Sequence, residues 1–282
     1  MINIDGNLLD DDKATLPVNN RGYAYGDALF ETIRVNSGSI LFWEDHYFRL
    51  MASMRILRMQ IPMQFTPEFL EKEILDLITE NGLTNKSVRV KLIVNRVSGG
   101  LYTPISNEVT YCITMSQIAS PFYTITDQAY EVTLFKDHYV AKDLLSTLKS
   151  NNRLVNILGS IFAKENGFDN CLLLNADKMI IEALNGNLFL VKGTVIKTPP
   201  VADGCLKGIL RTQLLRLLKK LPEFQIEEAS VSPFELQKAD ELFVTNVITG
   251  IVPITRFRKK EYDTTISKRI VGLLNSRIRL GD

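Results

Sequence analysis

Between residues 148 and 198 the chain breaks into apolar runs too short for anything but strands, with one helical stretch ahead of them. Cys171-Leu172-Leu173-Leu174, Met179-Ile180-Ile181-Glu182, Asn187-Leu188-Phe189-Leu190-Val191 and Thr194-Val195-Ile196 are separated by turn-forming residues such as Asn175-Ala176-Asp177 and Lys192-Gly193. Runs of this length, bounded by turn residues, read as buried strands and hairpins. Before them Leu154, Ile157, Leu158, Ile161 and Phe162 recur at helical spacing, which predicts a helix over 150–166 that Asn166-Gly167 ends. Lys149 opens this stretch and Glu182 closes the second strand run. The apolar residues before Glu182 predict that its carboxylate is buried.

Composition narrows the function. With 282 residues and 45% hydrophobic content the chain can bury one or two cores. Thirty-three basic and 32 acidic residues give a formal charge of +1, so no basic excess points to nucleic acid. Cys112, Cys171 and Cys205 are odd in number and far apart, which predicts buried thiols in a reducing compartment. No apolar stretch reaches membrane-spanning length, and the N-terminus reads as a strand and turn rather than a secretion signal. A cytoplasmic protein without membrane association is the expectation. His46 and His138 are the only histidines, which argues against a histidine metal site or a Ser/His/Asp triad. A lysine bound to a cofactor is one alternative source of acid–base and nucleophilic chemistry.

The rest of the chain alternates strands with helices. Asp5-Gly6 predicts a hairpin, Asn19-Asn20-Arg21-Gly22 a loop, and 28–35 and 40–42 two strands. Tyr47, Leu50, Met51, Met54 and Leu57 predict a helix from Trp43 with His46 and Arg49 on one face, both read as solvated or surface residues. Thr66-Pro67 caps the next helix, which stops at Asn81-Gly82. Residues 87–95 alternate as a strand, placing Arg89 and Lys91 on one face; two such cations can receive a carboxylate, but more often they simply face solvent. Residues 96–104 form a loop suited to binding, and 109–117 a strand. Gly208 precedes an amphipathic helix, leaving backbone N–H groups for an anion. Further strands fall at 130–135 and 241–247, and a final helix at about 264–280. The expected class is α+β in two domains, 1–118 and 124–282, joined by a linker at 119–123, with Lys149 in the second.

Taken in order, these segments resemble the class IV aminotransferases, the fold-type IV enzymes that use pyridoxal 5′-phosphate. The likeness rests on Arg21-Gly22-Tyr23-Ala24-Tyr25-Gly26-Asp27-Ala28-Leu29-Phe30-Glu31, His46-Tyr47-Phe48-Arg49-Leu50, Leu148-Lys149 with Asn152-Arg153-Leu154, Glu182 ahead of Asn187-Leu188-Phe189, Thr198-Pro199, Gly208-Ile209-Leu210-Arg211 and Ala239-Asp240-Glu241-Leu242-Phe243. Each fragment is weak, whereas their order and spacing are specific. The resemblance implies a D-amino-acid aminotransferase-like fold and a homodimer in which a loop near Gly99–Thr103 completes the partner's pocket.

It also implies roles. Lys149 forms the Schiff base and shuttles protons, and Glu182 pairs with the pyridinium nitrogen. Arg49 binds the cofactor phosphate with the backbone N–H groups of Ile209 and Leu210, and Asn246 lies where the family also contacts phosphate. Tyr25, Phe30, Arg89 and Arg153 line the side of a small amino substrate. The lyase branch, which splits aminodeoxychorismate into pyruvate and p-aminobenzoate for folate synthesis, matches best in Lys149-x-x-Asn152-Arg153-Leu154, Arg96-x-Ser98-Gly99-Gly100 and Asn246. Leu101-Tyr102 stands where those lyases often carry an arginine. Branched-chain transaminases place a tyrosine where this chain has Leu154 and a Gly-Thr pair at Asn246-Val247. The Arg-x-His clamp of D-amino-acid transaminases has no counterpart. An amino-acid transaminase is the second expectation, and a binding protein that kept the fold without activity the third.

Overall fold

The computed structural model describes residues 1–280. The chain forms two compact units: residues 1–121 joined by 149–152, and residues 122–148 with the chain from Arg153 onward. The sequence reading put the lysine in the second of two contiguous domains. Instead the chain gives four residues, Lys149 to Asn152, to the first unit.

In the first unit, β1 (Ile2–Ile4) and β2 (Asn7–Leu9) form the expected hairpin over Asp5-Gly6, both with positive φ. A five-residue helix α1 (Arg21–Tyr25) replaces the expected loop, because the Asn20 side chain accepts the Tyr23 N–H at its start. There follow β3 (Ala28–Asn36), β4 (Ser39–Ile40), α2 (Trp43–Ile56), α3 (Pro67–Glu80), β5 (Ser87–Arg96) and β6 (Val109–Ile118). The six strands make one antiparallel sheet, β2-β1-β6-β5-β3-β4. One face carries Ile33, Val35, Val88, Val90, Leu92 and Val94, all buried with Leu50, Met54, Leu70, Ile74 and Leu77 of the helices. Each such side chain contributes about 1.5–3 kcal/mol on burial, enough to fix strand register against the helices. The other face holds Phe30, Thr32, Arg89, Lys91 and Ile93, exposed or half-buried.

The second unit contains β7 (Glu131–Leu134), α4 (Leu154–Glu165), β8 (Asn170–Leu174), β9 (Ile180–Ala183), β10 (Asn187–Lys192), β11 (Val195–Thr198), α5 (Ile209–Leu218), β12 (Gln225–Glu228), α6 (Pro233–Leu236), β13 (Glu241–Asn246), β14 (Gly250–Ile254), β15 (Arg256–Phe257), β16 (Lys260–Glu261) and α7 (Thr265–Leu280). They build two five-stranded sheets, β12-β11-β10-β13-β14 and β16-β15-β7-β8-β9. Strand β8 is buried on both faces. Leu172 and Leu174 join the core shared with Leu188, Leu190, Leu242 and Val244 of the other sheet, whereas Cys171 and Leu173 pack with Phe135, Ala163 and Ile181. This explains a continuous apolar run without alternation.

Helix α4 departs from expectation twice. It starts at Leu154, not 150, because 149–152 is engaged as strand. Its apolar stripe also faces outward, with Leu154 73% and Ile157 52% exposed, while Gly159 and Ala163 are buried. The cause is Gly159, where a Cβ would stand 2.5 Å from Leu184 Cδ2, so the helix packs through its small residues. Cys171 and Cys205 are buried and Cys112 half-buried, with no disulfide between them. Among the described residues no helix is long and apolar enough to cross a membrane, and no cluster of metal-ligating side chains occurs.

Candidate active site

Lys149 is held as a strand residue. The Phe30 N–H donates to its carbonyl at 2.8 Å, the Asn151 N–H donates to Ala28 at 3.0 Å, and Ser150 bridges Leu29. The segment thus extends the sheet at the edge of β3 that β4 leaves uncovered, and puts Lys149 beside Phe30. The Lys149 Nζ lies 4.5 Å from the centre of the Phe30 ring, and the Lys91 Nζ lies 5.1 Å from the same ring. Lys91 was read only as one of two strand cations. Of the two, Arg89 is exposed and Lys91 is the one brought to the lysine's aromatic neighbour. Tyr25 packs its ring against Tyr102 at 5.9 Å and under the Arg21 guanidinium at 5.0 Å, so it stands with the 96–104 loop.

On the core face of β3, Glu31 accepts from Arg49 Nε at 2.8 Å and Nη2 at 2.5 Å, and from His46 Nδ1 at 2.7 Å. The helix-face pairing of His46 and Arg49 is as the spacing predicts, but their setting is not. His46 is fully buried and the Arg49 side chain is 12% exposed. Both turn inward because Glu31, a carboxylate in a row of buried aliphatics, needs cationic and N–H partners. Burial pushes the Glu31 carboxyl up, yet Arg49 and His46 outweigh it and hold it at about 2. Burial lowers the pKa of His46 against the opposing pull of Glu31, so its imidazole is neutral at pH 7.

The second unit carries the remaining candidates. Glu182 lies on β9 opposite Leu173, 6% exposed, as the apolar run predicts, and its Oε2 accepts the Leu206 N–H at 3.0 Å. The Cys205 thiol is pushed to about 12 by burial and by the Glu182 charge, so it stays protonated. Gly208 caps α5 with no side-chain acceptor at the helix start, leaving its first N–H groups, Ile209 and Leu210, without a side-chain cap. A Cβ on Gly208 would lie 2.0 Å from Asn187 Oδ1, while the Asn187 amide donates to Leu206 O at 2.8 Å. Asn187 pairs with Thr245 across β10 and β13, and the Thr245 hydroxyl is buried without a partner. Asn187 belonged to a motif of the resemblance but was given no site role, and Thr245 was not singled out; the tight approach to Gly208 identifies the first, and the orphan hydroxyl the second. Asn246 uses its Oδ1 to accept Ile248 and Thr249 N–H groups in its own turn, so its amide N–H is what it can offer a ligand. Arg153 stands at the N-cap position of α4 without a side-chain capping bond, and its guanidinium donates to Leu148 O at 2.5 Å.

In the second unit a buried carboxylate, an uncapped helix start over a glycine cradle and an orphan hydroxyl suit a phosphorylated, basic heteroaromatic group, and in the first unit Glu31 orients an arginine. A lysine set on an aromatic face at a strand edge adds an amine for a carbonyl. Each unit of the α+β scaffold thus carries, by itself, side chains suited to cofactor chemistry.

Residues 28–257 match the family described as Amino-transferase class IV, and the chain belongs to that family, whose members are pyridoxal-phosphate enzymes. A Methanocaldococcus jannaschii protein, assigned provisionally as a branched-chain-amino-acid aminotransferase, is 31% identical over 90% of this chain and 86% of its own. An aminodeoxychorismate lyase of Vibrio harveyi is 26% identical over 93% of this chain and 96% of its own. The crystal structure of a Thermoproteus uzoniensis branched-chain aminotransferase has the same fold, with a TM-score of 0.86 at 24% identity, covering 99% of this chain and 94% of that one.

The close approach at Gly208 makes one expectation sharp. Gly208→Ala must displace Asn187 or the helix start, and overpacking of this kind costs about 1–3 kcal/mol. Weaker binding of pyridoxal phosphate and a lower unfolding midpoint are both expected. Unchanged cofactor affinity, measured by titration, would remove the helix start from the phosphate site.

Proposed function

We propose that this enzyme cleaves 4-amino-4-deoxychorismate to pyruvate and p-aminobenzoate, as part of folate synthesis in the cytoplasm. The observation that carries the reading is the Phe30 ring shared by Lys149 and Lys91. Two ammonium groups about one aromatic ring suit a substrate with an amine at one end of a six-membered ring and a carboxylate at the other. Lys149 is the group that reacts at the amine end, and Lys91 is the carboxylate partner. Tyr25, Phe30, Arg89 and Arg153 remain the proposed substrate-side residues.

Pyridoxal phosphate, when bound, supplies an aldehyde for an amine and a ring that withdraws electrons from the carbon bearing it. Arg49, the N–H groups of Ile209 and Leu210, and the amide of Asn246 would hold the phosphate. Glu182, whose carboxylate the Leu206 N–H orients, would keep the proton on the ring nitrogen. Lys149 Nζ would then remove the proton from the amine-bearing carbon of the substrate. The C–O bond to the enolpyruvyl group then breaks and the substrate ring becomes aromatic. Lys149 returns a proton to the departing enolpyruvate, which leaves as pyruvate.

Amino-acid transamination is the second reading, favoured by the 31% identity to the Methanocaldococcus protein. There Lys149 would remain the group that moves the proton, with no carbon–oxygen bond of the substrate broken. The exposed stripe of α4 and the exposed Leu101 and Tyr102 support a homodimer in either case.

Pyruvate release from aminodeoxychorismate by the cofactor-loaded enzyme tests the choice. Rapid release is expected, slowed roughly 10²–10⁴-fold in Glu182→Gln with cofactor still bound. No release, with amino-group transfer from an amino acid to oxoglutarate, would establish the transaminase. Glu182→Gln at the wild-type rate would remove the carboxylate from the mechanism.

A further inference from the structure

We propose that Glu31 and His46 are positioning residues that aim the Arg49 guanidinium at the cofactor phosphate. The inference rests on the reading of Arg49 as a phosphate ligand. Glu31 grips one edge of the guanidinium through two parallel hydrogen bonds, Nε at 2.8 Å and Nη2 at 2.5 Å. A planar guanidinium held along one edge has its plane and its opposite edge fixed as well. His46, three residues before Arg49 on α2, donates its Nδ1–H to the same carboxylate at 2.7 Å and so fixes Glu31.

Two observations separate this from ordinary core packing. His46 is fully buried and its Nε2 has no partner, so the ring carries a desolvated acceptor at the bottom of the core. An aliphatic side chain avoids that cost, and what the imidazole supplies in return is the Nδ1–H to Glu31. Glu31 also sets a negative charge against the very cation that is to receive a dianion. For charge alone this opposes phosphate binding, so its benefit lies in geometry. Positioning and charge therefore predict opposite effects when the carboxylate is neutralised.

The test compares pyridoxal phosphate with pyridoxal, which has the same aldehyde and ring but no phosphate. The full-length chain is stripped of cofactor, and dissociation constants for both are read from the visible absorbance of the lysine-bound form. The ratio of the two constants reports phosphate recognition alone and does not depend on the fraction of protein folded. Glu31→Gln and His46→Leu are expected to cut the preference for the phosphate by roughly tenfold, with pyridoxal affinity unchanged. His46→Asn, whose amide N–H replaces Nδ1–H, is expected to keep it. Arg49→Ala is the reference and should abolish the preference. If Arg49→Ala leaves the ratio intact, the phosphate reading of Arg49 falls and this inference with it. If Arg49→Ala abolishes it while Glu31→Gln and His46→Leu bind phosphate as well as wild type or better, Arg49 stands and positioning is overturned. Equal losses for both ligands in those two variants also overturn it, since they mark a general packing defect.

Discussion

Lys149→Ala is expected to abolish the visible absorbance of bound cofactor and to lower turnover by at least roughly 10²–10⁴-fold, the share that a positioned proton-transfer group supplies. The fold should survive. The segment is held by backbone hydrogen bonds from Phe30 and to Ala28, which alanine keeps. The side chain contributes mainly its contact with the Phe30 ring, worth about 0.5–2 kcal/mol. Cofactor can still bind through its phosphate, so equilibrium dialysis should find it retained but spectrally altered. Lys91 shares the same ring and is the necessary control: Lys91→Ala should keep the band. A wild-type band in Lys149→Ala, lost instead in Lys91→Ala, would transfer the anchoring role between the two lysines.

The largest expected loss of stability follows from Asp27. Its Oδ2 accepts from Arg21 Nε and Arg96 Nε, both at 2.9 Å, and those side chains are 5% and 8% exposed. Burial pushes the Asp27 carboxyl up, but the two arginines overcome it and keep the group ionised below its ordinary value. Asp27→Ala leaves two buried guanidinium charges side by side without their common partner. Breaking a buried pair in this way costs about 3–5 kcal/mol. The damage should reach the 96–104 loop, because Arg21 Nη1 also donates to the carbonyls of Gly99 at 3.1 Å and Leu101 at 2.6 Å. Denaturant unfolding measures the first effect, and proteolytic nicking of the loop the second. Asp27→Asn keeps an acceptor and should lose less. A loss under about 1 kcal/mol in Asp27→Ala would mean that water already screens the cluster as it screens a surface pair.

Most elements were legible because local signals agreed with the fold. The Asp5-Gly6 hairpin, the Thr66 cap before Pro67 and the Lys192-Gly193 turn each carry their own chemistry and appear where expected. The failures came where tertiary contacts decided. Periodicity could not show that α4 packs through Gly159 and turns its leucine and isoleucine stripe outward. Nor could it show that 149–152 pairs with β3 instead of starting the helix. At the candidate site, Glu182 was legible from the apolar run before it. Glu31 was not singled out, although a lone carboxylate on the aliphatic face of β3 was the available signal. His46 and Arg49 were read as solvated because their partner lies on another element, which spacing within one helix cannot reveal.

The four residues from Lys149 to Asn152 also bear on how the molecule is made. A ribosome that has released residues 1–121 has supplied every element of the first unit except the piece that covers the outer edge of β3. The Ala28 carbonyl and the Phe30 N–H are then open to any other extended chain. Their native partner emerges only after the next stretch of the second unit has been synthesised. The segment from Lys149 to Asn152 therefore closes, late in synthesis, an edge that the first 121 residues leave open.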